Sequence, residues 1–252
     1  MIEATGFPTW PPGLWRRIIL QPGERWIGVA LEDDMHCFVL RIGHEEGRIV
    51  SVAGKALRHP WSACPGAVDY LKAQLAGKRL EDVAGLEPRE NCTHLLDLAI
   101  LGAAHVTDEA PRRFDMKVAD RVEGRTTAIL YEDGIERLRW QLDGLDVAGP
   151  QGRNLRALSQ WKRELPPEEA EWATLLRRAV FVSGGRQFNP PAAERAADQG
   201  PARMGVCYNY QLPQAARSTR TPDWRQDFSL TGREPLQGLQ PAEAFTALKE
   251  QA

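Results

Sequence analysis

Two helices that each begin at a cysteine are the feature of this chain that most restricts its fold. Cys64 precedes Pro65, and because proline is favoured at the first position of a helix, Cys64 is predicted to cap a helix that ends near Gly77. Cys92 follows Asn91, a favoured capping residue, and is predicted to open a second helix. The apolar residues of both segments recur at helical spacing: Ala67, Val68, Leu71 and Leu75, then Leu95, Leu98, Ile100, Leu101 and Ala104.

The position of these cysteines also has a chemical consequence. A helix N-terminus presents unpaired N–H groups and the positive end of the helix dipole, which favours a thiolate over a thiol. His59 lies close to Cys64 in the sequence, and His94 lies close to Cys92. We therefore expect the two thiols to belong to a chemical site. The alternative is that both are small buried hydrophobic residues, as free cysteines often are.

The segment before these helices has the period-two alternation of β-strands. The pattern covers residues 26–42 and returns over residues 48–57, after a turn at Gly47. This order predicts an antiparallel hairpin that leads into the Cys64 helix. Asp34 and His36 lie two residues apart, so on a strand they would share one face and form a carboxylate–imidazole pair. The alternative is a solvated turn with an incidental histidine.

The rest of the chain predicts a second set of antiparallel strands, one long helix and an irregular end. Strand patterns cover residues 112–120, 124–134 and 135–144, and residues 165–182 have the apolar stripe of a helix that stops at Gly184-Gly185. The long irregular end is expected to be mobile or to wrap a neighbouring subunit, which predicts a homo-oligomer. The predicted organisation is an α+β protein of four parts. An N-terminal arm covers residues 1–24, a site-bearing core residues 25–110, added strands and a helix residues 111–188, and an extended C-terminal arm residues 189–252.

Composition argues against several classes of protein. The formal net charge of −2 gives no reason to expect nucleic-acid or membrane-surface binding, and no apolar run approaches the ~20 residues that span a bilayer. Four cysteines are too few for a disulfide scaffold in a chain of 252 residues, and the first residues lack the apolar core of a secretory signal. We therefore expect a cytoplasmic protein with reduced thiols. All five histidines and three of the four cysteines lie between residues 36 and 105, so metal or acid–base chemistry is expected in the first half.

Several motifs support two resemblances to known families. The sequences D-D-M-H at 33–36, C-P-G-A at 64–67 and C-T-H-L at 92–95, with the segment 206–229, resemble a bacterial family of unknown function, which implies no activity. Residues 27–105 are remotely similar to iron–sulfur scaffold proteins of the IscU/SufU type. Those proteins share the order of a hairpin, a helix opened by cysteine, a Gly-Lys with an acidic stretch, and a second helix opened by cysteine.

The second resemblance implies a metal site. In such scaffolds three cysteines and an acidic or histidine residue hold zinc or a cluster, and Cys64 and Cys92 match two of those cysteines in position. The third position falls near residues 33–36, where this chain has carboxylates and an imidazole. Because iron–sulfur clusters favour thiolate ligands, the resemblance implies a mixed site for zinc, or for iron, rather than for a cluster. Its implied ligands are Asp34, His36, Cys64 and Cys92. A metal-free acid–base pocket is the alternative.

The favoured hypothesis for function is an enzyme that acts on a small organic substrate, aromatic substrates included. A lyase is expected before a hydrolase, with decarboxylation, deformylation or elimination by acid–base or metal-assisted chemistry. His36 or His94 would be the general base or acid, and Asp34 would orient it. Cys64 and Cys92 would be ligands or a nucleophile and acid, and the predicted substrate-binding residues are Arg58, His59 and Trp61. The other hypotheses are a metal- or iron–sulfur-carrying scaffold that binds protein partners, and an interaction module.

Overall fold

An antiparallel sheet with helices packed on it is the architecture of this chain, which confirms the predicted α+β class. The computed structural model describes residues 10–187 and 193–249. The strands of these residues are β1 Gly13–Gly23, β2 Trp26–Asp33, β3 Cys37–Glu45, β4 Arg48–Arg58, β5 Arg112–Ala119, β6 Arg125–Glu132, β7 Ile135–Asp143 and β8 Asp146–Val147. Within the described ranges they form one sheet of eight strands, in the order β4-β3-β2-β1-β5-β6-β7-β8.

The helices follow the strands in the same chain order. The α-helices of the described residues are α1 Gly66–Leu75, α2 Thr93–Ala104, α3 Leu158–Trp161, α4 Pro167–Gln187, α5 Gln214–Arg217, α6 Phe228–Thr231 and α7 Pro241–Lys249. Short 3₁₀ turns lie at Leu80–Gly85, Leu155–Ala157, Lys162–Glu164, Ala196–Gln199, Pro201–Arg203 and Tyr208–Tyr210. Across these residues no helix combines the length and the apolar character that crossing a membrane requires.

The described residues divide into two compact units. The smaller unit contains residues 10–16, 114–187 and 227–234, and the larger unit contains residues 17–113, 193–226 and 235–249. All of the residues predicted to form the functional site belong to the larger unit.

In the larger unit, both faces of the sheet are covered. Helix α2 packs on β2 and β3, and a Cβ atom at Gly102 would lie 3.0 Å from the Val29 side chain, so glycine allows the helix to lie close to the strands. Helix α7 also packs on β2 and β3, and its Phe245 ring occupies the space beside Gly28. Because neighbouring strand residues point to opposite faces, contacts at residues 28 and 29 place α7 and α2 on opposite sides of the sheet.

The chain termini differ from the predicted arms. Residues 13–23 form β1, in which Leu14, Ile18 and Leu20 are buried, and their even spacing places all three on one face of the strand. The last helix is also part of the fold: Leu236, Phe245 and Leu248 are buried in one apolar cluster with Ala30, Cys37, Val39 and Ala53. Helix α7 therefore packs on its own chain. Residues 1–9, 189–192 and 250–252 of the predicted arms, together with residue 188 at the end of the added strands and helix, lie outside the described residues.

The predicted strands and helices of the second half are confirmed, with one difference in length. Residues 112–120, 124–134 and 135–144 correspond to β5, β6 and β7, and residues 165–182 lie largely in α4. Helix α4 continues through Gly184 and Gly185 to Gln187. Glycine inside a helix costs only about 1 kcal/mol, and the last turn is anchored because Arg186 forms ion pairs with Asp120 at 2.9 Å and with Asp227 at 2.7 Å.

Candidate functional site

The turn between β2 and β3 is organised by the carboxylate of Asp33. Its Oδ1 accepts hydrogen bonds from the backbone N–H groups of Met35 and His36, both at 2.9 Å, and lies 3.0 Å from Nδ1 of His36. The Asp33 side chain is fully buried, whereas the His36 side chain is 13% exposed. The turn therefore holds one imidazole against a buried carboxylate, with part of the ring open to solvent.

The carboxylate that pairs with His36 is thus Asp33 and not the predicted Asp34. The prediction assumed a continuous strand, in which residues two apart share a face. Strand β2 ends at Asp33 and β3 begins at Cys37, so the chain turns between them and brings residues three apart together. Asp34 is buried, and its carbonyl oxygen accepts hydrogen bonds from Nη1 of Arg58 at 2.9 Å and from the backbone N–H of Gln226 at 2.7 Å.

His94, in the first turn of α2, completes a cluster of three side chains. Its imidazole stacks on that of His36 with ring centroids 3.9 Å apart and planes inclined by 29°, and Phe38 lies against both rings at 5.9 Å. One ligand atom from each of Asp33, His36 and His94 lies within 4.8 Å of the others. We refer to these three residues as the Asp33 cluster. It forms because the start of α2 packs on the end of the β2–β3 hairpin.

Arg58, which stays a predicted substrate-binding residue, holds the turn in place. Its Nη2 bonds Oε1 of Glu32 at 3.0 Å and the carbonyl oxygen of Asp33, and its Nη1 bonds the carbonyl oxygens of Asp34 and Trp224 at 2.9 and 3.1 Å. The guanidinium is 11% exposed and the Glu32 carboxylate 15% exposed. Several donors of one rigid group therefore fix the loop that carries the Asp33 cluster.

His59 and Trp61 lie next to this loop and make packing contacts. Nδ1 of His59 lies 3.0 Å from the carbonyl oxygen of Trp61, and burial lowers the pKa of His59, an effect to which the neighbouring His36 adds. The Trp61 ring is buried, with the guanidinium of Arg220 3.9 Å from its centroid and Tyr210 against it at 6.2 Å. The C-terminal region thus covers the predicted substrate-binding tryptophan.

The two cysteines predicted to be thiolates are held as thiols. Burial raises the pKa of Cys64 well above its usual value and raises that of Cys92 to about 12. Helix α1 is capped by Pro65, so Cys64 lies before the cap, whereas Cys92 caps α2. The backbone N–H groups of His94 and Leu95 lower the pKa of Cys92, but burial outweighs them. The expectation of thiolates at helix starts is therefore wrong for this chain.

Cys64 and Cys92, both predicted metal ligands, do not belong to the Asp33 cluster. Among the described residues, the metal-ligating group that contains His36 is completed by Asp33 and His94 and includes neither Cys64 nor Cys92. Each of these two thiols is influenced electrostatically by Cys207, which the sequence analysis did not single out. Asp33 was missed as a site residue because its neighbour fitted the strand pattern. Cys207 was missed because it lies more than 100 residues after Cys64 and Cys92 in the sequence, so no local motif connects it with them.

The raised pKa of Cys64 predicts a loss of stability in alkali. Above the ordinary thiol pKa of 9.0 the unfolded chain loses this proton while the folded chain keeps it, so the free energy of unfolding falls as the pH rises. One such group contributes a slope of about 1.4 kcal/mol per pH unit. Urea unfolding of a Cys64→Ala variant between pH 9.5 and 11 should show a slope smaller by up to this amount. The assignment would be contradicted if the free energy of unfolding fell equally steeply for both proteins, so that the difference between them stayed at its value at pH 7–8.

A cleft of about 510 Å³ opens elsewhere in the larger unit. Trp26, Arg41, His44, Ser51 and Phe245 contribute to its walls, and the guanidinium of Arg41 lies 4.6 Å from the Trp26 ring centroid. The residues of the Asp33 cluster do not line it. The cleft and the cluster are therefore separate features.

No protein-family model matches this chain, and the comparison with curated proteins gives no match. The two resemblances carried by the D-D-M-H, C-P-G-A and C-T-H-L motifs accordingly stay predictions. What the cluster does must be argued from its own geometry and chemistry.

Proposed function

We propose that this chain is a small-molecule enzyme of the lyase class that uses His36 as its general base or acid. The observation that carries the proposal is the 3.0 Å contact between Asp33 and His36 beside the stacked ring of His94. A carboxylate at Nδ1 favours the tautomer with its proton there and leaves Nε2 for proton transfer. Asp33 takes the orienting role that the sequence analysis assigned to Asp34.

The stacked pair suits a reaction that both removes and returns a proton. The two ring centroids lie 3.9 Å apart, so two imidazoles would meet one substrate at the same point. In an elimination, His36 would take a proton from a substrate carbon, and His94 would give a proton to the departing group. Decarboxylation and deformylation would need the same donor to protonate the carbanion that is left.

A metal-assisted form of the same enzyme is the second candidate. A buried carboxylate and two imidazoles with ligand atoms within 4.8 Å form a donor set that zinc and iron(II) accept. A divalent ion held by Asp33, His36 and His94 would act as a Lewis acid or lower the pKa of a bound water. The burial of Asp33 and His94 supports this form, since a buried carboxylate favours a cation beside it.

If a metal binds at the Asp33 cluster, the Asp33 carboxylate should contribute strongly to the affinity for that metal. Asp33→Asn should lower the affinity for Zn²⁺ by about 10–100-fold, measured by competition with a chromophoric chelator. Asp108→Asn is the matched control, because Asp108 also pairs with a histidine three residues away, His105, at 2.8 Å. If the two variants bind Zn²⁺ equally well, the metal-assisted form is wrong and the acid–base form is retained.

A metal- or iron–sulfur-carrying scaffold is the remaining alternative. It is supported by the electrostatic influence of Cys92 and Cys207 on Cys64. A scaffold should lose its metal when Cys64 and Cys92 are replaced by serine. The metal-assisted enzyme should keep its metal in the same variant, so the metal content of the double variant separates these two functions.

The substrate, the compartment and the assembly are proposed together with the enzyme. We expect a small organic molecule as the substrate and the cytoplasm as the compartment, since none of the four cysteines is in a disulfide. A homo-oligomer stays a prediction, although the packing of α7 on its own chain removes the wrapped arm as its basis.

Substrate profiling tests the proposed function directly. The purified protein and its His36→Ala variant are incubated in deuterated water with a library of small organic acids, aldehydes and hydroxy acids, aromatic members included. Mass spectrometry should find a compound that the native protein converts and that the variant leaves intact, with deuterium at the reacting carbon if the reaction is a decarboxylation or deformylation and without it if the reaction is an elimination. Equal conversion by both proteins, or none across the library, would argue against a lyase that depends on His36.

A further inference from the structure

We propose that the cleft beside Arg41 is a binding site for a small aromatic carboxylic acid. We call it the Arg41 cleft, and its walls include Trp26, Arg41, Val50 and Ser51. Its volume of about 510 Å³ falls within the range of about 300–1,000 Å³ that small-molecule sites occupy. The inference is independent of the proposed function, because the three residues of the Asp33 cluster do not line this cleft.

The floor of the Arg41 cleft is one face of strands β2, β3 and β4. Trp26 pairs with Gly43, which pairs with Ser51, so the three residues form one row across the strands. Arg41 lies two residues before Gly43 on β3, which places its side chain on the same face as this row. A Cβ atom at Gly43 would overlap the Ser51 hydroxyl, so glycine leaves space there. The sheet thus sets an indole ring, a guanidinium and a hydroxyl around one opening.

The Trp26 ring is positioned by two neighbours and keeps part of its surface open. Phe245 of α7, which is fully buried, lies 6.4 Å from it between ring centroids, with the planes inclined by 55°. The guanidinium of Arg41 lies 4.6 Å from the same ring centroid. Trp26 is half-buried, and the neighbouring cleft residue Val50 is 62% exposed. The two side chains therefore offer apolar surface to a flat ligand, and an indole favours an aromatic one.

Arg41 supplies the positive charge of the cleft. The residue is only 9% exposed, and none of the described carboxylates forms an ion pair with it. Burial lowers the pKa of Arg41, and no described carboxylate opposes this effect. A buried cation without an anion beside it is costly, and the planar guanidinium fits a carboxylate through two parallel hydrogen bonds. A carboxylate in the cleft would therefore supply the partner that Arg41 lacks within the described chain.

The other charged residues of the cleft favour a ligand with a single negative charge. Glu45 lines the cleft but pairs with Arg25 at 3.1 Å. Glu24 also lines the cleft and is exposed, so one negative charge remains to oppose the charge of Arg41. A phosphate dianion would be repelled by Glu24 more strongly than a carboxylate. The Ser51 hydroxyl adds a neutral donor, which suits a carboxylate equally well.

An NMR titration of the full-length, isotope-labelled protein with 2-naphthoate tests the inference. The probe should shift the backbone amide signals of residues 24–26, 41–45 and 50–51 in a saturable way, with a Kd of about 1 mM or lower. The uncharged 2-naphthalenemethanol should bind about 10-fold more weakly or worse, because it lacks the hydrogen bonds between two charged groups.

Three outcomes of this titration would overturn the proposal. The first is that 2-naphthoate, at ten times the expected Kd, gives no saturable shift at these residues. The second is that the alcohol binds as tightly as the acid, which would show that the ring alone is recognised. The third is that inorganic phosphate binds at the same residues at least as tightly as 2-naphthoate. All three comparisons use the native protein, so they do not depend on the folding of a variant.

Variants assign the binding to Arg41. Arg41→Gln should weaken the binding of 2-naphthoate by about 10-fold or more, and Arg41→Lys should recover only part of the loss, because lysine lacks the planar fork of donors. Arg25→Gln is the matched control, since Arg25 lines the same cleft but is exposed and already paired with Glu45. The control should change the Kd by less than about twofold. Equal losses in Arg41→Gln and Arg25→Gln would show that general charge, and not Arg41, attracts the probe.

Discussion

Replacing His36 with alanine is expected to lower the turnover of the proposed reaction by about 10²–10⁴-fold, the usual contribution of a positioned general acid or base. The reason is the geometry at the end of β2, where the buried Asp33 carboxylate lies 3.0 Å from Nδ1 of His36 and orients the ring. The measurement is kcat and KM for a substrate found by profiling. The loss should fall on kcat, because the imidazole acts in proton transfer and not in binding.

His105→Ala is the matched control for this variant. His105 pairs with Asp108 three residues further along the chain at 2.8 Å, as His36 pairs with Asp33, and its side chain is similarly buried at 10% exposed. The control should keep turnover within about twofold of the native protein. If His36→Ala and His105→Ala lose activity together, the loss reflects folding, and if neither loses activity, His36 is not the acid or base.

Replacing Arg58 with alanine is expected to lower the free energy of unfolding by about 3–5 kcal/mol, as removal of one partner from a buried ion pair usually does. The variant would leave the Glu32 carboxylate, 15% exposed, without this partner. It would also remove the donors that Arg58 supplies to the carbonyl oxygens of Asp33 and Asp34. A buried acceptor without its donor costs about 1–3 kcal/mol. Urea unfolding monitored by tryptophan fluorescence measures the change.

Two further variants define the cause of that loss. Arg58→Lys keeps the charge but not the planar fork of donors, so it should recover only a small part of the stability. Arg25→Ala removes another arginine–carboxylate pair, Arg25–Glu45 at 3.1 Å, whose side chains are 68% and 57% exposed. An exposed pair contributes about 0–1 kcal/mol. A loss for Arg58→Ala no larger than for Arg25→Ala would show that the guanidinium does not hold the turn.

The fold could be predicted from the sequence where local patterns decide it. The alternation of residues 26–42 predicts β2 and β3, and the helical spacing after Cys64 and Cys92 predicts α1 and α2, because backbone geometry sets both periods. The strand β1 was missed, since the buried Arg16 lies between Leu14 and Ile18 on the same face and interrupts their alternation. A charged residue buried among apolar ones hides the period-two signal of a strand.

The candidate site was predictable in its histidines and not in its carboxylate or its thiols. His36 and His94 were identified by their place beside a strand end and a helix start, and the packing of α2 on the sheet brings their rings to 3.9 Å. Whether Asp33 or Asp34 lies beside His36 is decided by one turn. The hydrogen bonds of this turn place the Asp33 carboxylate beside His36, whereas a continuous strand would have placed Asp34 on the same face as His36. The state of Cys64 depends on burial, which a local pattern does not report.

The sequence by itself determined most of the strands and helices, with β1 and the helices after residue 190 as exceptions, and that acidic and imidazole side chains meet the ends of two of them. Tertiary structure alone decided that Asp33 rather than Asp34 faces His36 and that burial outweighs the helix N-terminus at Cys92. Periodicity is a property of a few neighbouring residues. Burial depends on segments more than 100 residues apart, such as Arg58 and the carbonyl oxygen of Trp224 that it bonds, which only the folded chain brings together.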